Sequence, residues 1–239
     1  MGRASIFLLI LAWCESIRAA SLPTGLGPTE IDHVVEVIGT GSTVRLLRSA
    51  EPLELFPGIK LGLEIAIVPT RDLNNMGNQD GSLPVAIPVP RFYFAKGLFF
   101  NLELILNLFP VNIANSLSTF GGSLKWTFFN ENQNWLHGAA FLSFTNISGF
   151  ERTYSGNNIE MGGVVSKDFV KLKPYMGGGL LFARGNVSSA VARTADTSGA
   201  HSTLHLFVGA EVELPLSLGF QLDLMNLSPS GIIFFGVKF

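Results

Sequence analysis

The feature that most limits how this chain can fold is an apolar/polar alternation of period two, sustained over unusually long stretches. In Gly58–Val68, Ile59, Leu61, Leu63, Ile65 and Ile67 share one parity, and Lys60, Gly62, Glu64 and Ala66 share the other. From 97 to 108, Leu98, Phe100, Leu102, Leu104, Leu106 and Leu108 alternate with Phe99, Asn101, Glu103, Ile105 and Asn107. Phe120, Leu124, Trp126 and Phe128 alternate with Gly121, Ser123, Lys125 and Thr127, and the stretches 203–214 and 216–224 behave alike. A helix would spread these charges around its circumference, whereas a strand gathers them on one face. Strands of soluble domains average about 5–6 residues, while a tilted strand that crosses a bilayer takes about 9–11. Several of these stretches reach the second length.

Composition points the same way. Only 14% of the 239 residues are charged and 47% are apolar, against about 25% charged in an ordinary soluble domain. A helical membrane protein does not fit. The best apolar run, Leu98 to Val111, is interrupted by Asn101, Glu103, Asn107 and Pro110, and a spanning helix takes about 20 apolar residues. The remaining structure able to satisfy its backbone in lipid is a closed barrel. The formal charge of −2 gives no reason to expect a nucleic-acid partner.

Ten strands are predicted, near 58–68, 85–95, 97–108, 117–129, 135–146, 157–168, 172–184, 203–214, 216–226 and 231–239; eight or twelve also fit the spacing. The gaps at 69–84, 109–116, 147–156 and 185–202 are long, and those at 96, 130–134, 169–171 and 215 are short. Pro88 and Pro90 mark 85–95 as the least regular strand. The expected fold is thus all-β, an antiparallel up-and-down transmembrane barrel over 58–239. Inner-face glycines, among them Gly121, Gly162, Gly177, Gly179, Gly209 and Gly219, are expected to leave room in a narrow interior.

Residues 1–21 read as a signal peptide, with Arg3, the apolar stretch Ile6–Trp13 and the small residues Ala19, Ala20 and Ser21. The single cysteine, Cys14, lies in that segment, so the mature chain has no thiol for disulfides or cysteine–metal sites. Residues 22–57 form a separate N-terminal segment. Its short helix, about 30–38, is expected to start at Thr29 with Asp32 reaching back and to end at Gly39. Ile31, Val34, Val35 and Ile38 fall on one face. So short a helix needs a surface to pack on, either inside the barrel as a plug or on the periplasmic rim. Val44–Arg48 is a further short strand candidate.

The chain closes with Ile233, Phe235, Val237 and Phe239, apolar residues at every second position ending in an aromatic. This resembles the C-terminal assembly signal of bacterial outer-membrane β-barrel proteins. The resemblance implies export to a bacterial outer membrane, recognition of the last strand by the barrel-assembly machinery, and outer-membrane lipid as the partner. The family's interfacial girdles favour Tyr and Trp. This chain departs from that pattern, with 20 Phe and three each of Tyr and Trp.

Parity sends Lys60, Glu64, Glu103, Lys125 and Glu160 into the lumen, along with Lys173, His205, Glu211, Glu213, Asp223 and Lys238. Charges of both signs in a narrow barrel are expected to pair and fill it, because an unpaired charge there is costly. That predicts a non-enzymatic barrel, structural or serving as a narrow channel or binding protein for small or apolar ligands, with no cofactor. Two other readings stay open: an outer-membrane enzyme acting on lipid or peptide, and a soluble lipid-binding β-barrel. His137 with Ser143 is the pair that an enzyme reading would use, and His201 with His205 the pair that a metal site would use.

Overall fold

The computed structural model describes residues 20–45, 48–54, 56, 58–108, 117–131, 136–195, 197–213, 216–226 and 228–239. Cys14 and nearly all of the expected signal segment lie outside these. Ten antiparallel strands close into a barrel, each pairing with its sequence neighbours and the first pairing with the last. They are β1 (Ile59–Pro69), β2 (Ala86–Gly97), β3 (Leu102–Leu108), β4 (Leu117–Glu131), β5 (Leu136–Gly149), β6 (Tyr154–Lys167), β7 (Leu172–Val187), β8 (Ser198–Val212), β9 (Ser217–Met225) and β10 (Ser228–Lys238). Lys60 opposite Lys238 and Ala66 opposite Ile232 set the closing register. The start of β1 and the end of β10 lie at one rim, called here the terminal side; the opposite rim carries the connections 70–85 and 188–197 and is the loop side.

The barrel is apolar outside and polar inside. On β9, Leu218, Phe220, Leu222 and Leu224 are between 39 and 57% exposed, whereas Ser217, Gln221 and Asp223 are at most 4% exposed. The same reversal repeats around the circumference, giving a continuous apolar band far larger than the few hundred Å² usual on a soluble monomer. At the terminal side of β4 a register shift between Thr127 and Phe129 inserts one extra residue. This bulge lets the consecutive rings of Phe128 and Phe129 both face outward.

Several boundaries differ from those read in sequence. β3 begins at Leu102, because Phe100 and Asn101 have φ of 61° and 57° and belong to a turn. The expected long connection at 147–156 is a four-residue turn, Phe150–Thr153, and β7 and β8 extend to a 10-residue connection at 188–197. The reason is that the hydrogen-bonded ladder continues above the apolar band. The pairs Ser148–Ser155 and Asn186–Ser198 are fully laddered but carry no hydropathy contrast to read.

All three tyrosines point inward, so none contributes to an interfacial girdle. Tyr93 lies against Gly62 and Gly236, Tyr175 against Gly209, and Phe234 against Gly219. Each ring occupies the space a neighbouring Cβ would take. Gly219→Ala is therefore expected to destabilise the barrel by about 1–3 kcal/mol through overpacking, with Phe234→Leu restoring much of the loss in the double variant. Gly163→Ala is the control: it adds a methyl with its nearest neighbour at 3.5 Å, so its unfolding midpoint should match the parent. Equal midpoints for Gly219→Ala and Gly163→Ala would refute the socket argument.

Residues 31–45 and 48–53 pack inside the barrel. Helix α1 (Pro28–Val34) is capped at Gly27, not Thr29, and widens to π geometry over Val35–Thr40. Pro28 takes the first helical position, where its missing N–H is no loss. The Glu30 carboxylate, not Asp32, accepts the Gly27 N–H at 2.7 Å; Asp32 instead accepts the Ala200 N–H on β8 at 3.0 Å. Leu26, Ile31, Val34, Val35 and Ile38 pack with Val68, Ile87, Ile147, Tyr154 and Ala183 in a loop-side apolar cluster. A second cluster at the terminal side joins Ala50 and Leu53 to Ile105, Phe141, Tyr175 and Phe207. The described part of the expected strand at 44–48 is irregular, and positions 46–47 lie outside the described residues.

Candidate functional site

Alongside the apolar clusters the lumen holds a belt of buried charge, which reaches past Ile105 and Phe207 to Glu103 and Glu211 near the terminal side. Among the described residues the wall contributes the carboxylates Glu64, Glu103, Glu160, Glu211 and Asp223 and the cations Lys60, Arg91 and Lys125, while buried Lys173 is taken up by Glu51 and Glu213. The wall alone therefore has more acid than base. The inner segment supplies the difference: Arg45 pairs with Asp223 on β9, and Arg48 pairs with Glu103 on β3. Glu103 also holds Lys125 of β4 at 2.9 Å, Glu64 holds Arg91 of β2 at 3.0 Å, and Lys60 pairs with Glu211. His205 bridges Glu160 at 2.6 Å and Asp223 at 2.8 Å.

Irregular backbone buried inside a closed barrel must find partners within the protein, and the wall provides them. The Arg91 guanidinium donates to the Thr43 carbonyl at 2.9 Å, and Lys125 donates to the carbonyls of Ser49 and Glu51 at 3.0 and 2.8 Å. Thr127 donates to the Ala50 carbonyl at 2.7 Å, while the Val44 and Ala50 N–H groups donate to Thr145 and Ser166, each at 2.9 Å. Asn158 holds the Gly39 carbonyl at 2.5 Å. Side chains and backbone thus lock this segment to strands on every side of the lumen.

Of the residues assigned to the lumen from parity, Lys60, Glu64, Glu103, Lys125, Glu160, Lys173, His205, Glu211 and Asp223 are buried. Glu213 and Lys238 stand at the terminal-side mouth. There Glu213 meets Lys173 at 2.9 Å, and Lys238 lies 4.0 Å from Glu54. Sequence reasoning missed Arg91, Arg45, Arg48 and Glu51. Arg91 had a usable signal, since Phe92 and Phe94 share the outward parity and leave Arg91, Tyr93 and Ala95 inside. The residues that an enzyme reading would use do not meet. Ser143 bonds Ser123 at 2.7 Å, and His137 bonds Asp168 at 3.2 Å. Six strand positions, about 20 Å, separate Ser143 from His137. His201 lies above His205 on the inward face, and no cluster of three His, Asp or Glu able to hold a metal occurs among the described residues.

The loop-side mouth is closed by a polar clasp. Thr24 donates its N–H and hydroxyl to Asp80, both at 2.6 Å, and Glu30 accepts from the N–H groups of Gly27 and Gly77. The Gly27 and Gly77 donors hold the Glu30 carboxyl below its ordinary range, and the Thr24 donors do the same for Asp80. A carboxyl lowered on folding stabilises above its unfolded pKa, about 4, and that contribution disappears as pH falls through the folded value. Acidification below about pH 4 should therefore loosen the Thr24–Asp80 and Gly77–Glu30 contacts while buried Leu26 and the barrel ladder hold. Hydrogen exchange at Thr24 and Gly77 would report it; unchanged protection between neutral and acidic buffer would refute it. Beside the clasp, a cavity of about 300 Å³ is lined by His33, Glu36, Arg71, Asp72, His201 and Asn226. Glu36 is its hub, accepting from Asn226 at 2.5 Å and meeting His33 at 2.9 Å.

No protein-family model and no curated protein matches the chain. Among solved structures it is similar to the N-terminal β-barrel domain of Pseudomonas aeruginosa OprF, at 12% identity over 75% of this chain and 96% of that one, with a TM-score of 0.33. The attachment invasion locus protein Ail of Yersinia pestis, in complex with the heparin analogue sucrose octasulfate, aligns at 11% identity over 75% and 94%, TM-score 0.28. Neisserial surface protein A aligns at 12% identity over 76% and 96%, TM-score 0.27.

Proposed function

We propose that this chain is a bacterial outer-membrane barrel that works as a closed, non-enzymatic scaffold, its lumen plugged by its own N-terminal segment. The observation that carries this reading is the charge belt, in which Arg45 and Arg48 of the segment balance the surplus carboxylates of the wall. A filled lumen favours a structural or ligand-presenting role over a channel. The outward apolar band supports lipid as the surrounding medium. Residues 1–21 serve export in this reading, and β10, with Ile233, Phe235 and Val237 on its outward parity and Phe239 directly after it, serves delivery by the barrel-assembly machinery. The loop-side cavity around Glu36 has the size of a small-ligand site, so ligand presentation belongs at that mouth.

Two measurements test this. The detergent-extracted protein should migrate faster unboiled than boiled, and the full-length protein in planar bilayers should stay electrically silent. Recovery in the soluble fraction with no mobility shift would end the membrane reading. Steady ohmic conductance from the intact chain would end the plugged one.

A further inference from the structure

We infer, resting on the membrane reading above, that the chain crosses its bilayer eleven times: the segment ahead of β1 is an additional crossing, threaded through the lumen from mouth to mouth. The ten strands alone would leave both ends on one side. The described chain instead begins at the loop side. The Ser82 N–H donates to the Ser21 carbonyl at 3.1 Å, and Thr24 is fastened to Asp80. Leu26 ladders with the 188–197 connection, its N–H donating to Val191 at 3.0 Å and its carbonyl accepting from Arg193 at 2.8 Å. Further along, Arg45 meets Asp223 toward the loop-side end of β9, and Arg48 meets Glu103 near the terminal-side start of β3. Glu51 then pairs with Lys173 at the start of β7, and the backbone of Leu53 and Glu54 lies against Gly97 at the end of β2. A plug that entered and left by the terminal side would put residues 20–27 near the start of β1. These contacts put them at the opposite rim.

The consequence is a surface. Ser21, Pro28 and Thr29 are exposed beside the loop 70–85 and the described part of the connection that follows β7, so this end of the segment is presented together with the loops. Attachment or recognition at that end happens on the loop side, while Lys238 and Phe239 remain on the other.

Cysteine accessibility tests this, because positions 22–239 contain no cysteine. Thr29→Cys and Glu54→Cys report the two ends of the segment, with exposed controls at Asn75→Cys in the loop and Lys171→Cys in a terminal-side turn. A membrane-impermeant maleimide on intact cells should label Thr29→Cys as fully as Asn75→Cys, and should label Glu54→Cys and Lys171→Cys only after the outer membrane is permeabilised. Labelling of Thr29→Cys only together with Lys171→Cys would overturn the threading. If Asn75→Cys itself is not labelled on intact cells, the membrane reading has failed instead. Threading is then decided on purified protein by a short bismaleimide across Thr24→Cys and Asp80→Cys. A gel shift from that cross-link supports it, and none refutes it.

Discussion

Glu103→Ala is expected to cost about 3–5 kcal/mol, the scale for removing one partner of a buried charge pair. Glu103 is fully buried and is the carboxylate shared by Arg48 and Lys125. Deleting it leaves Arg48 and Lys125, both buried, without the counter-charge they share. Glu103→Gln should recover only part of the loss, since it restores an acceptor but no charge. The contrasting case is Lys238→Ala. Lys238 sits 4.0 Å from a Glu54 that is 73% exposed, and exposed pairs contribute about 0–1 kcal/mol. Denaturant unfolding in detergent micelles, followed by the heat-modifiable band, measures both. If Glu103→Ala unfolds with the parent, water fills the belt and the lumen is not dry.

Removing residues 22–54 altogether should act differently, turning a silent barrel into a conducting one. With the whole segment gone, water enters the lumen and hydrates the wall charges, so no single dry orphan remains. The ladder between β1 and β10 does not use the deleted residues, and closure is preserved. The open lumen would then expose the five wall carboxylates against Lys60, Arg91 and Lys125, while Lys173 and Glu213 still pair at the mouth. Conduction should therefore be cation-selective, because the lining carries net negative charge. Reversal potentials under a salt gradient in planar bilayers check this. A variant that migrates as a closed barrel yet stays silent would show that the wall side chains alone fill the interior.

The strands were legible wherever one face meets an apolar surround and the other does not. β9 is the clearest example, with Leu218, Phe220, Leu222 and Leu224 set against Gln221 and Asp223. Legibility fades where the surround stops differing between faces. The outer ends of β5 to β8 carry Ser, Asn and Gly on both faces, so a four-residue turn at Phe150–Thr153 read as a long loop. The site was half legible for a related reason. Parity assigns a side, and so located the wall charges, but it says nothing about what a non-strand segment brings to them. Arg45 and Arg48 lie in irregular chain with no period to read, and only their distant partners reveal their role. The departure from a Tyr-rich girdle also has a physical cause, since Tyr93, Tyr154 and Tyr175 are used inside against glycines.

The inner segment also ties the beginning of the chain to its end. Arg45 and Asp223 are 178 positions apart, and Lys60 and Glu211 are 151 apart. During synthesis the early cations emerge long before the carboxylates that neutralise them. A chain stopped after seven strands would hold Arg45 and Lys60 with neither β8 nor β9 to receive them, and so could not dry its interior. Full neutrality arrives only with the last strands. The lumen thereby acts as a check on completeness, penalising every partial product and stabilising only the finished ring.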